Sequence, residues 1–257
     1  MKTTWIIQGN LHPTGDVDTS GMLARACQEA ECPFVRVKVI PSSTEMPEIT
    51  GVSAPFVFYG YSTPITNAHR SSQWSSGVFF DPELFRPSVY ADRYGDLYLN
   101  SDTRVLSHEQ FIAESHRPDE GFFIRPDDDL KEWTGQVMSF AEYVAWHGNL
   151  EPTRHIAVSA PKAVESEWRV FLVDGQPVAS SQYRPQATHW VPVEVEAFAR
   201  RAAARWSPVP VYVMDVASVE GELKLIELNC FNGSSFYLAD INRIVRTVSV
   251  FMEATTV

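Results

Sequence analysis

The sequence predicts a mixed α/β (α+β) protein: a small N-terminal α/β domain over residues 1–94, then a larger unit over residues 95–257 built on antiparallel sheets. Three observations predict this. Short apolar runs alternate with an amphipathic segment near the N-terminus. Two dipeptides, Asp174-Gly175 and Glu220-Gly221, each stand between strand-like runs, as hairpin turns do. A chain of 257 residues, 44% hydrophobic and 21% charged, can bury a full core without disulfide or metal staples.

The elements follow in order. Residues 4–8 (TWIIQ) are an apolar run ending at the Gly9-Asn10 turn pair. Residues 18–31 have helical spacing, with Met22, Leu23, Ala26 and Ala30 on one side, and Cys32-Pro33 stops them. Residues 34–40 (FVRVKVI) alternate as a half-exposed strand up to Pro41, and residues 55–59 (PFVFY) form a buried run. This β-α-β-β order predicts a parallel sheet. No Walker phosphate loop and no G-x-G-x-x-G run occurs in it. Residues 61–76 are polar and aperiodic, which predicts a long loop, either facing substrate or plain surface.

From about residue 95 the pattern changes. Ser107 with Gln110 and Ser139 with Glu142 form capping boxes that open two helices, the second running through Trp146. Residues 121–125 (GFFIR) and 155–159 (HIAVS) are strands. Residues 167–173 and 176–182 flank the first hairpin turn, and 209–219 and 222–229 flank the second. Between the hairpins, residues 192–205 form an amphipathic helix whose early acids and late arginines suit its dipole, and a last helix spans about 238–252.

A formal net charge of −11 argues against a broad nucleic-acid surface and against anionic membranes. No run of about 18 apolar residues suggests a membrane span. Three cysteines, Cys27, Cys32 and Cys230, are too few for a disulfide scaffold. The expectation is a cytoplasmic protein. The histidines lack zinc-site spacing, and no G-x-S-x-G run marks a serine nucleophile.

The second hairpin carries the strongest chemical signal. Glu227 and Asn229 differ by two and share a strand face. The turn at Glu220-Gly221 folds Asp215 back beside them. Two carboxylates and an amide oxygen are hard donors suited to Mg²⁺ or Mn²⁺. Strand parity also places Leu225 on the Glu227 face with Ile226 and Leu228 opposite, so that the carboxylate continues an apolar stripe. The alternative is an ordinary solvated acidic face. By the same parity Cys230 faces away from the donors.

Asp215 followed by Glu227-Leu228-Asn229, then a turn at Asn232-Gly233-Ser234, resembles the closing motif of the ATP-grasp superfamily. Three earlier segments match in the order that family requires, so the resemblance covers roughly residues 95–250. GFFIRP resembles the strand whose basic residue touches nucleotide phosphates. Most members carry Lys there; Arg125 resembles a branch that carries Arg. DDDLKEWTGQV resembles the loop that closes over the phosphates, with Lys131 as its cation and Gly135 as its hinge. HIAVSAPKAVESEWRVFLVDG resembles the adenine hinge and ribose-binding segment. The resemblance implies that Ser159, Ala160, Pro161 and Lys162 meet the adenine edge, that Glu167 accepts from the ribose, and that Arg169 faces the site beside it. Arg184 would reach the phosphates or a substrate carboxylate.

Each position also has a plain structural alternative. Arg125 could pair with Asp127 or Asp128, Lys131 could be solvated, and Glu167 with Arg169 could be a surface pair. Tyr237 and Asp240 could touch substrate, or Asp240 could cap a helix. Arg70, Arg86 and Arg93 are candidates for selecting an acceptor.

The resemblance implies a two-part ATP-grasp domain after a divergent N-terminal domain. It implies an ATP-dependent, ADP-forming carboxylate–amine ligase that uses ATP and Mg²⁺ (or Mn²⁺) and acts through an acylphosphate. Its partners would be small-molecule or peptide carboxylates and amines, with no nucleic acid and no membrane. The alternatives are a kinase on the same fold, a non-catalytic nucleotide-binding module, and a structural protein whose acidic strand binds nothing.

Overall fold

The computed structural model describes residues 1–9, 18–40, 43, 45–128 and 133–256. Strands β1 (Thr4–Gln8), β2 (Phe34–Val37) and β3 (Phe56–Tyr59) form a parallel sheet in the order β2-β1-β3, with α1 (Thr19–Glu29) as the crossover after β1. Asp18 caps α1 by accepting from Gly21 N.

Residues 61–76 are not a long loop. They hold helix α2 (Ser62–Arg70) and a short 3-10 turn at Ser75–Gly77. Its buried residues, Pro64, Ile65 and Ala68, are too few to show a helical period in a polar sequence. Helix α3 (Pro87–Tyr94) is a further short element, opened by Pro87 in its first turn.

Next comes an antiparallel sheet in the order β4-β7-β5-β6: β4 (Arg104–Ser107), β5 (Gly121–Pro126), β6 (Gln136–Ser139) and β7 (His155–Ser159). Helices α4 (His108–Ala113) and α5 (Phe140–His147) begin at the two capping boxes, and both reciprocal hydrogen-bond pairs are present. Gly135 lies where a Cβ would sit 2.6 Å from the Phe123 ring and 3.2 Å from Arg125 Cβ. A side chain here would have to push the Phe123 ring aside.

The central sheet is antiparallel in the order β11-β10-β8-β9: β8 (Ser166–Val173), β9 (Gln176–Arg184), β10 (Val211–Val219) and β11 (Glu222–Cys230). Its hairpin turns have positive φ at both central residues, 48° and 72° at Asp174-Gly175 and 53° and 77° at Glu220-Gly221. That backbone matches the strand twist. Helix α6 (Val193–Arg205) connects the hairpins, and α7 (Ile241–Thr255) closes the chain, with Asp240 accepting from Arg243 N as its cap.

One face of the central sheet packs Trp168, Val170, Met214 and Val216 with Phe198 of α6 and Tyr90, Tyr94 and Tyr98. The other packs Phe171, Val173, Val211 and Val213 with Ile244, Val245 and Val248 of α7. The strands β1 and β3 feed both clusters, Ile6 and Phe58 the first, Trp5, Ile7 and Val57 the second. The sheet β4-β7-β5-β6 has its own small core around Leu106, Phe111, Ile124, Tyr143 and Ile156. Among the described residues no helix is long and apolar enough to cross a membrane.

Candidate active site

The register of β10 with β11 sets the site. From the turn outward the pairs run Val219↔Glu222 to Val216↔Leu225, and then Asp215 pairs with Glu227. A β-bulge at Ile226 absorbs the odd residue. This corrects the parity expected from the sequence: Leu225 and Glu227 lie on opposite faces, and Leu225 joins Leu228 and Cys230 in the core cluster behind the sheet. Glu227 and Asn229 still share a face. Without the bulge Ile226 would face Asp215, and the apolar and charged residues of β11 would exchange sides.

Asp215 and Asn229 are 1% and 2% exposed, so their contacts are made away from bulk water. The Asn229 amide nitrogen lies 3.1 Å from Asp215 Oδ2 and 3.2 Å from Glu227 Oε1, which draws the three side chains into one group. On the other side of β10, Arg169 pairs in register with Asp215. Its guanidinium donates twice to that carboxylate, Nε to Oδ1 at 2.8 Å and Nη2 to Oδ2 at 2.7 Å. Burial alone would lower the Arg169 pKa, but the Asp215 carboxylate outweighs it and holds the guanidinium above its ordinary value. Arg169 also donates to Ser235 O at 3.2 Å.

Arg125 comes from the facing sheet. Its Nη1 reaches Glu227 Oε2 at 2.8 Å and Tyr90 Oη at 3.2 Å, so the charged ends of β5 and β11 meet across the space between the sheets. The acids named as alternative partners each have another cation beside them. Asp127 accepts from Arg86 and from Ser88, and Asp128 pairs with Arg154. A third pair, Arg184 Nη1 to Glu167 Oε1 at 2.9 Å, lies farther up the same face; the Arg184 side chain is 71% exposed and open to a ligand.

The segment after β7 is tied to Asp102. The Ala160 amide donates to Asp102 Oδ2 at 2.9 Å, and Lys162 pairs with the same carboxylate. Ser159 is buried, and among the described residues its hydroxyl has no hydrogen-bond partner. Lys131 lies outside the described residues.

Tyr183, Asp102 and the buried role of Asn232 escaped sequence reasoning, whereas Tyr237 was already a candidate for touching substrate. Tyr183 and Tyr237 stack at 4.8 Å with an interplanar angle of 12°, and the Arg169 guanidinium lies 4.8 Å from the Tyr237 ring centre. Tyr237 has φ 49°, a strained conformation for a bulky residue. Asp102 had no motif to announce it. Asn232, expected only as part of a turn, is fully buried. It accepts from Phe79 N at 2.7 Å and donates to Gly77 O at 3.0 Å, pinning the loop after β11 to the segment behind β3.

As a donor set, Asp215, Glu227 and Asn229 fit a hard divalent cation such as Mg²⁺: two carboxylates and a carboxamide on one rigid sheet face. With a cationic side chain supplied from the facing sheet, the arrangement can hold a charged phosphate chain between two sheets. Two antiparallel sheets meeting through such residues define an ATP-grasp type of protein. The chain belongs to the family described as "ATP-grasp domain, R2K clade family 3", whose model matches residues 57–248. The match begins well before residue 95, where the sequence resemblance began.

Solved structures agree on the fold. A RimK-domain ATP-grasp protein from Sphaerobacter thermophilus superposes with a TM-score of 0.63 at 13% identity, over 98% of this chain and 100% of that one. D-cycloserine synthetase superposes with a TM-score of 0.61 at 14% identity, over 97% and 99%. The ATP-grasp ligase PsnB, complexed with a minimal precursor, gives 0.59 at 12% identity, over 100% of both chains. No curated protein sequence matches the chain.

Proposed function

We propose that this protein is an ATP-dependent carboxylate–amine ligase that forms an acylphosphate and releases ADP and phosphate. The observation that carries the reading is the meeting of Asp215, Glu227 and Asn229 on one sheet with Arg125 from the other. Asp215, Glu227 and Asn229 would hold Mg²⁺ or Mn²⁺, which supplies charge neutralisation at the phosphates. Arg125 would move from Glu227 to phosphate oxygens, with Lys131 as a second cation. Ser159 to Lys162 would border the adenine and Glu167 the ribose. Arg169 would fix Asp215, and exposed Arg184 would orient a substrate carboxylate.

Phosphoryl transfer asks mainly for positioning and fixed charge. A substrate carboxylate attacks the γ-phosphorus of ATP, and the bond to the bridging oxygen breaks to release ADP. An amine then attacks the acylphosphate carbonyl, loses a proton and expels phosphate. No protein nucleophile is needed. Structural neighbours suggest acceptors worth screening first: PsnB is complexed with a precursor peptide, and another neighbour is a D-alanine–D-alanine ligase. The same reading places the protein in the cytoplasm, where ATP and such acceptors are abundant.

The test is a screen of amino acids and short peptides for substrate-dependent ADP release from Mg-ATP. Amide product with free phosphate supports the ligase. A phosphorylated acceptor without amide would convert the reading to a kinase, and ATP binding without turnover across the screen would leave a nucleotide-binding module.

A further inference from the structure

Each carboxylate of the donor set has a cationic partner on the protein. Asp215 is held twice by Arg169, and Glu227 is held by Arg125. The amide nitrogen of Asn229, a donor, sits between the two carboxylates, so this side chain must turn over before its oxygen can serve as a ligand. In these two pairs each carboxylate charge is matched by one guanidinium charge. A free dication entering the centre would displace guanidinium groups from carboxylates and leave those groups without counter-ions in a partly buried place. A cation arriving on a triphosphate brings oxyanions that take up the guanidinium groups as they are released.

Resting on the proposed nucleotide site, we infer that the cleft admits its divalent cation only as the metal–nucleoside triphosphate chelate, and that Arg125 enforces this by occupying Glu227. The pairing places Arg125 in two successive roles. Before the nucleotide binds it is the counter-ion that excludes free metal, and afterwards it is a phosphate ligand. Glu227 is the exchangeable half of the centre. Its side chain is 29% exposed and meets Arg125 from another sheet, whereas Asp215 and Arg169 are held in register on neighbouring strands of one sheet, with both side chains under 10% exposed. Metal and triphosphate therefore bind with strong positive coupling.

The test uses Mn²⁺ alone and Mn²⁺ with a non-hydrolysable ATP analogue, followed by the electron paramagnetic resonance of unbound Mn²⁺. Wild-type protein, Arg125→Gln and Arg125→Lys are compared, with thermal melts to show that each is folded. The wild type is expected to leave free Mn²⁺ in solution and to retain it with the analogue. Arg125→Gln is expected to bind free Mn²⁺ about tenfold more tightly and the analogue about tenfold more weakly than the wild type, the scale of one charged hydrogen bond. Arg125→Lys, which keeps the charge, is expected to stay close to the wild type for free Mn²⁺. Wild-type protein that binds free Mn²⁺ as tightly as Arg125→Gln would overturn the inference, as would equal gains in both variants. If the analogue fails to bind while the free-metal difference appears, exclusion by Arg125 stands and the nucleotide reading falls.

Discussion

One face of the central sheet serves two opposite purposes within a few residues. In its lower half, Phe171, Val173, Val211 and Val213 pack against α7 and exclude water. In its upper half, the same strands carry Glu167, Arg169 and Asp215, with Glu227 and Asn229 alongside on β11. On both β8 and β10 the change from core to site takes a single step of two residues, Phe171 to Arg169 and Val213 to Asp215. A rigid, fully packed strand end thus carries the charged groups. Side chains on such supports hold their geometry better than they would on a loop.

The comparison can be broken from either half. Asp215→Ala should have the largest effect, because it leaves Arg169 buried without its carboxylate. A loss of about 3–5 kcal/mol is expected in urea denaturation, together with loss of Mg-ATP binding. Stability close to wild type would mean that the pair is not the fixed part of the site. Phe171→Ala, one step down the strand, should cost about 3 kcal/mol by leaving a cavity, while the protein that remains folded keeps its ATP affinity. A selective loss of ATP binding there would show that the two halves are not separable. Arg125→Ala should weaken ATP binding by about 1.5–3 kcal/mol with little change in melting temperature. Unchanged affinity would assign this arginine to structure alone. The smallest expected effect lies at the turn. Glu220 has φ 53°, so Glu220→Asn should raise stability by up to about 1 kcal/mol, as a thermal melt would show, and should not touch binding.

Legibility in the sequence followed how local each determinant is. The hairpins, both capping boxes and the parallel N-terminal strands were readable because turn chemistry, capping and alternation act within a few residues. Helices α2 and α3 and strands β4 and β6 were not, since each is short and buries only one to three residues. The donor set was readable as a pair on one strand plus an acid folded back by a turn. Only the facing of Leu225 was misjudged, because β11 has apolar residues at both parities and the bulge at Ile226 chooses between them. The arginine partners were hidden for a different reason. The contact of Arg169 with Asp215 spans 46 positions, and that of Arg125 with Glu227 spans 102, so both depend on sheet pairing and on how the sheets face each other.

The most direct test of the central claim is calorimetric titration of ATP, with Mg²⁺ and with EDTA, into wild-type protein and Glu227→Gln. Glu227 is partly exposed and its substitution leaves the Asp215–Arg169 pair in place, so the variant should fold. Magnesium-dependent binding in the wild type that disappears in Glu227→Gln is the predicted result. Equal binding by both proteins, or binding indifferent to EDTA, would contradict the assignment of Asp215, Glu227 and Asn229 to the metal–nucleotide centre.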